Sequence, residues 1–342
     1  MSNNLSTIVK PLLEWYELNK RDLPWRHNPS PYRVWISEIM LQQTRVDPVI
    51  PYYNRFMSAL PSVEALAEIP QDQLMKLWEG LGYYSRARNL QKSAQIICEQ
   101  GGFPEDFKGW LALPGIGEYT AGAICSIALG LPTPAVDGNV LRVLSRVLGS
   151  DKDIMLPAVK KEFTEQLRAI YPKNQTSSFT QALMELGALI CLPNGKPKCQ
   201  NCPLNSQCTA HLKDLTEEIP VKTPKKGRRI EEKTVVILRH NSEIALQKRP
   251  STGLLADLWE FPNLPQKMSE NEVLEAFNAV SIKPLPSSSH IFTHIEWHMA
   301  GFEVELMEKV KGYTWLSIRD VLAQKAIPSA YRAYTKYLES II

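Results

Sequence analysis

The chain has no apolar run long enough to span a bilayer, so a transmembrane helix is excluded. It has no dominant charge either: 39 Lys and Arg balance 36 Asp and Glu, for a formal net charge of +3 over 342 residues. That balance, with a pI near 8.4, permits nucleic-acid binding without requiring it. The opening Met1-Ser-Asn-Asn lacks the basic start of a secretion signal, and no membrane association is expected. Internal repeats and low-complexity tracts are missing too, which leaves an ordinary globular chain long enough for two domains.

Cysteine is scarce and unevenly placed. Cys98 and Cys125 fall in apolar helical patterns and read as reduced core residues. The other four, Cys191, Cys199, Cys202 and Cys208, crowd into one loop with the spacing C-x7-C-x2-C-x5-C. In an intracellular chain such a group indicates a four-thiolate metal site rather than disulfides. The spacing itself suits zinc or an iron–sulfur cubane equally.

From Leu5 to about Ile219 nearly every segment has helical period. Helices are predicted at Leu5–Asn19, Tyr32–Gln43, Val63–Glu68, Gln71–Leu77, Ser85–Gln100, Phe107–Leu111, Asp151–Ile170 and Ser177–Ile190. The basic, breaker-rich run Lys222-Thr-Pro-Lys-Lys-Gly-Arg-Arg229 reads as a linker. Beyond it the period changes. Strands are predicted at Thr234–Arg239, Ile244–Lys248, Ile291–Ile295, Gly301–Met307 and Gly312–Leu316. Helices at Ser269–Val280 (opened by a Ser269/Glu272 capping box), Ser317–Gln324 and Ser329–Ile341 complete a small α+β domain. The expected division is an all-α domain over 1–220, a linker over 221–232 and the α+β domain over 233–342.

Leu113-Pro-Gly-Ile-Gly117 makes a tight turn between two helical patterns, within a hairpin of about 109–125. The second helix starts with unpaired N–H groups beside Gly115 and Gly117, which favours a phosphate. Twenty residues on stands Asp137, whose simplest role is N-cap of the following helix. Glu38 stands with Ser37 as the only polar residues of an otherwise apolar stretch, Val34–Leu41. Burial there would raise its pKa and fit it for general acid chemistry; a narrow solvent strip is the alternative. Gln42-Gln43-Thr44-Arg45 and Gly80-Leu-Gly-Tyr83-Tyr-Ser-Arg-Ala-Arg88 combine amides, aromatics and cations suited to unstacking DNA, although a tyrosine pair in a turn is equally a core feature.

Taken together, Leu23-Pro-Trp-Arg26, Trp35-Ile-Ser-Glu-Ile-Met-Leu-Gln-Gln-Thr44, Gly80–Arg86, the hairpin, Val136-Asp-Gly-Asn139 and the cysteine loop resemble the MutY family of adenine DNA glycosylases, in the helix–hairpin–helix, endonuclease III-like superfamily. The resemblance implies an all-α glycosylase core with an iron–sulfur loop and a Nudix-like C-terminal domain that reads 8-oxoguanine. It implies excision of adenine opposite 8-oxoguanine or guanine in double-stranded DNA by a cytoplasmic monomer carrying a 4Fe–4S cluster on Cys191, Cys199, Cys202 and Cys208.

Residue by residue, the resemblance gives Glu38 the acid role and Asp137 the support of a cationic sugar, with Tyr119 and Asn139 assisting. It places Arg26, Trp25 and Gln181 in the adenine pocket. Gln43, Thr44, Leu81 and Tyr83 fall on the 8-oxoguanine side, as does Phe292-Thr293-His294, where relatives carry Phe-Ser-His. Tyr119 occupies the position of the Schiff-base lysine of lyase relatives, which favours a monofunctional enzyme over a bifunctional glycosylase/AP lyase. The stretch after Trp259-Glu-Phe-Pro262 lacks the acidic Nudix helix motif, so nucleotide hydrolysis is not expected. His290, His294 and His298 recur every four residues, but a strand would put Phe292 and Glu296 on the same face, against a metal site. Two departures stand out. Seven residues rather than six separate the first two cysteines, and Asp257 stands where relatives often have Gly.

Overall fold

The computed structural model describes residues 5–224 and 227–342. Residues 1–4, at the start read as lacking a secretion signal, and residues 225–226 of the basic run lie outside the described residues. Two compact units are formed, Met1–Glu68 with Asn89–Pro224, and Ile69–Arg88 with Lys225–Ile342. Among the described residues no helix is long and apolar enough to cross a membrane.

The first unit is helical. Ser30 accepts from Arg33 N and Pro31 occupies the first turn, so the apolar Pro31–Leu41 helix starts cleanly and buries eight of its eleven residues. The predicted helix from Asp151 begins only at Pro157, because a residue before proline is driven out of the helical region. Val46–Ala59 is helical although Pro48 and Pro51 hide it from a periodicity reading. Pro48 sits in the first turn, where no N–H partner is needed, and Val49, Tyr53 and Phe56 bury one face. The Gly138–Leu148 and Thr176–Leu189 helices supply much of the core through Val140, Val143, Leu144, Phe179 and Leu183. Each such side chain contributes roughly 1.5–3 kcal/mol by burial. Cys125 is buried as expected, whereas Cys98 is exposed: it falls on the outer face of its helix.

The second unit is built on seven strands: β1 (Arg229–His240), β2 (Glu243–Lys248), β3 (Trp259–Glu260), β4 (Asn263–Leu264), β5 (Ser281–Ile291), β6 (Ile295–Glu305) and β7 (Thr314–Ser317). Their order is β3-β2-β1-β6-β5, with β4 on β1 and β7 on β2. The parallel β1–β6 pair is central, and Val235–Leu238 are fully buried, alternately feeding a core on each face. β1 begins at Arg229, inside the basic run read as linker. β5 was not predicted, since Pro284, Pro286 and four serines disguise it; prolines are tolerated because the strand lies at the sheet edge. The strand predicted at Ile291–Ile295 is instead the turn joining β5 to β6, closed by Phe292 N donating to Ile295 O at 2.8 Å. The capping box of Ser269 and Glu272 is present on the Glu270–Phe277 helix.

Candidate active site and cysteine loop

Glu38 is only 5% exposed in the Pro31–Leu41 helix and lines a cavity of about 450 Å³. Tyr119, at the start of the Glu118–Ile127 helix, donates its hydroxyl to Glu38 Oε2 at 2.8 Å. Burial pushes the Glu38 carboxyl from its ordinary value up to about 7; the Tyr119 hydrogen bond opposes that rise and the nearby Asp137 charge reinforces it.

Asp137 lines the same cavity. It caps the Gly138–Leu148 helix, with Oδ1 accepting from Asn139 N at 2.9 Å and Val140 N at 2.8 Å. Its other oxygen accepts from Asn139 Nδ2 at 2.8 Å. Capping does not remove Asp137 from the cavity: the cap bonds hold its carboxylate at the wall of the space that Glu38 also lines. Two glycines permit this. A Cβ on Gly122 would stand 2.2 Å from Pro134 O, so the small-residue helix lets the irregular segment leading to Asp137 come close. A Cβ on Gly187 would stand 2.6 Å from Asn139 Cβ. At the hairpin, Gly115 takes φ +76° while Gly117 is extended and serves as N-cap, so only the first requires glycine's left-handed freedom.

Arg26, Trp25, Gln181, Thr44 and Asn139 also line the first cavity. Sequence reasoning missed what anchors Arg26 and Asn139. Glu185, 1% exposed, accepts from Arg26 Nη2 at 2.9 Å and from Arg21 Nε and Nη2 at 2.8 Å each. Burial alone would raise the Glu185 pKa, yet these guanidinium bonds bring it down to about 2. Arg142 was missed as well: its Nη2 donates to Asn139 Oδ1 and its Nε to Cys191 O, both at 2.8 Å, tying Asn139 to the first residue of the cysteine loop. Gln43 is exposed and lies outside this cavity, on a left-handed backbone of φ +59°.

The second unit has its own cavity of about 380 Å³, lined by Tyr83, Arg88, Leu255, Phe292, Thr293 and His294 among others. Tyr83 is 46% exposed at φ +46°, and its hydroxyl is 3.4 Å from Thr293 Oγ1. Phe292 is supported by the Trp297 ring, centroid to centroid 4.8 Å. Leu81 is 7% exposed and lines neither cavity; it packs inside the turn instead of presenting a surface. The three histidines do not converge: His298 bonds Glu296 and His290 packs edge-on against Phe292.

Residues 36–173 match the family described as HhH-GPD superfamily base excision DNA repair protein, and residues 234–337 match the NUDIX domain. The adenine DNA glycosylase of Buchnera aphidicola subsp. Acyrthosiphon pisum (strain APS) is 37% identical over 297 residues, covering 84% of this chain and 83% of that protein. The adenine DNA glycosylase of Homo sapiens is 32% identical, covering 94% and 73%. The chain belongs to the adenine DNA glycosylase family.

Among solved structures, a thermostable thymine-DNA glycosylase is 29% identical with a TM-score of 0.56, covering 61% of this chain and 97% of that one. An endonuclease III in a non-covalent DNA complex has a TM-score of 0.52 at 24% identity, covering 63% and 99%, a likeness of fold alone.

This member of the adenine DNA glycosylase family keeps all four loop cysteines, and Arg146 braces them. Its Nη1 donates to Cys191 Sγ at 3.3 Å, and Cys208 Sγ donates to Arg146 O at 3.3 Å. Gly195, at φ +72°, turns the Cys191–Cys199 segment. Among the described residues no three His, Cys, Asp or Glu side chains are gathered so as to hold a metal ion. Asp257 takes φ +59°. Glycine occupies that left-handed region most readily, and Asp enters it more easily than most other residues.

Proposed function

We propose that the chain is a monofunctional DNA glycosylase that excises adenine mispaired with 8-oxoguanine or guanine in duplex DNA, acting as a cytoplasmic monomer in base-excision repair. The reading is carried by one observation: Glu38, held near pKa 7, and the triply hydrogen-bonded Asp137 line the same cavity. Two carboxyl groups in unlike environments divide acid and anion roles, as in glycoside hydrolysis. Glu38, protonated, gives its proton to N7 of the extruded adenine as the N-glycosidic bond breaks and the electron pair leaves with the base. Positive charge develops on the deoxyribose, and the Asp137 carboxylate stabilises it. Water then attacks C1′ and loses a proton to the Glu38 carboxylate, which restores the acid. Tyr119 orients Glu38, and Asn139 orients Asp137. Arg26, Trp25 and Gln181 form the adenine pocket, with Arg26 fixed by Glu185. Tyr119 has no amine with which to form an imine, which supports hydrolysis without strand cleavage.

On the opposite strand, Tyr83 and the Phe292-Thr293-His294 turn, which line one cavity, read 8-oxoguanine, and Gln43 and Thr44 contact the DNA. The left-handed backbones of Gln43 and Tyr83 support a wedging role, since such strain concentrates at working sites. Gly115 and Gly117 contact phosphate. Cys191, Cys199, Cys202 and Cys208 form a donor set suited to a 4Fe–4S cluster, whose four irons each take one thiolate and so spread the sulfurs more widely than one ion would. Such a cluster would cross-link the loop that Arg142 and Arg146 brace.

Single-turnover release of adenine from an 8-oxoguanine:A duplex tests the reading. Glu38→Gln should lose at least about a hundredfold in rate; equal release by wild type and variant would sink the acid assignment. Borohydride trapping of a covalent DNA adduct would favour the bifunctional glycosylase/AP lyase instead.

A further inference from the structure

Ile69–Arg88 belongs to the sheet-bearing unit although it precedes that unit's strands by well over a hundred residues. The Gln71–Trp78 helix is fastened there by three charged side chains. Asp72 accepts from Lys248 Nζ at 3.1 Å and from Trp259 Nε1 at 3.2 Å, with Lys325 Nζ 3.6 Å away. Lys76 Nζ donates to Leu322 O at 2.7 Å and Lys325 O at 3.2 Å, and is paired with Glu79 at 2.6 Å. The other Glu79 oxygen accepts from Ile327 N at 2.8 Å. Past the turn, Arg88 Nη1 donates to Ala256 O at 2.7 Å. Between these fastenings lies Tyr83 on its strained backbone, braced by the Arg86 guanidinium at 5.5 Å from its ring and held 3.4 Å from Thr293. An aromatic residue at positive φ persists only when its surroundings over-determine it.

We infer that the Asp72–Lys76–Glu79 joint is a specificity-determining device, which makes a single lesion reader of Tyr83 and the Phe292-Thr293-His294 turn. It rests on the function proposed above and adds to it. None of the three side chains lines either cavity; they are positioning residues that act through Tyr83. Loosening the joint lets Tyr83 leave Thr293, so the preference for 8-oxoguanine over guanine falls while adenine release from G:A persists.

The test uses the full chain with Asp72→Asn and, from the opposite side of the joint, Lys248→Met. Two quantities are measured for duplexes bearing 8-oxoguanine or guanine. One is the ratio of single-turnover adenine-release rates; the other is the ratio of affinities when the adenosine is a non-cleavable 2′-fluoro analogue. Each variant should reduce both ratios about tenfold, the loss of one charge-assisted contact, with the G:A rate within about twofold of wild type. The double variant should lose little more than either single one, because both break the same pair. Unchanged ratios, or both rates falling together, would overturn the inference and leave the joint a stability element. Were wild type to release no adenine, the proposed function would fail, while the affinity ratios would still decide whether the joint governs lesion reading.

Discussion

Between pH 4.5 and 7 a buried glutamate in the folded chain keeps a proton that the unfolded chain has released. Glu38 is such a group, its pKa lifted to about 7 by burial. Below pH 4.5 it is protonated in both states and costs nothing. As pH rises, the unfolded state binds fewer protons and stability falls, until the folded carboxyl also ionises above pH 7. Glu38→Gln removes the liability. It should therefore stabilise the protein by about 3 kcal/mol at pH 8 and by almost nothing at pH 4, as read from denaturant midpoints at the two values. A variant equally stable to wild type at both pH values would show that the carboxyl is not burdened. Tyr119→Phe acts in the opposite direction on the same group. Its lost hydrogen bond no longer opposes the raised pKa, so the alkaline limb of the single-turnover pH profile should move upward even as the maximal rate falls. Glu38 was legible beforehand because it stands among apolar neighbours on its own helix. Glu185 was not, because Arg21 and Arg26, which give it meaning, lie 164 and 159 positions away.

At the scale of elements, the placement of Asp137 depends on two helices meeting without a side chain between them. Gly187 makes that possible, and Gly187→Ala puts a methyl group 2.6 Å from Asn139 Cβ. Overpacking of this kind costs about 1–3 kcal/mol. The shift passes to Asp137 through Asn139 Nδ2, so adenine release should fall about tenfold as well. A melting curve and a single-turnover assay on the same preparation would separate the two losses; a destabilised variant of unchanged rate would mean that Asn139 tolerates displacement. Most helices could be read from period and caps, since each is a local pattern. The exceptions had local causes too. Prolines obscured the Val46–Ala59 helix and β5, and apolar–polar alternation mimicked a strand across the turn at residues 292–294.

For the whole molecule, sequence reading expects a helical domain that ends near residue 220 and can be parted from the rest. Chain order cannot reveal that Ile69–Arg88 packs with strands that begin at Arg229, because Asp72 and Lys248 are 176 positions apart. The difference has a measurable consequence. A chain ending at Pro224 would keep the cavity shared by Glu38 and Asp137, and should still release adenine from G:A. It would lose Lys248, Trp259, Lys325 and the acceptors at Leu322 and Lys325, leaving Asp72 and Lys76 without the partners that hold the Gln71–Trp78 helix. An eight-residue helix without tertiary packing is marginal in water. Limited proteolysis and amide exchange should therefore find 69–88 opened in the shortened chain and protected in the full one, with 138–148 protected in both. Equal protection of 69–88 in the two chains would mean that this segment is held by the helical unit alone.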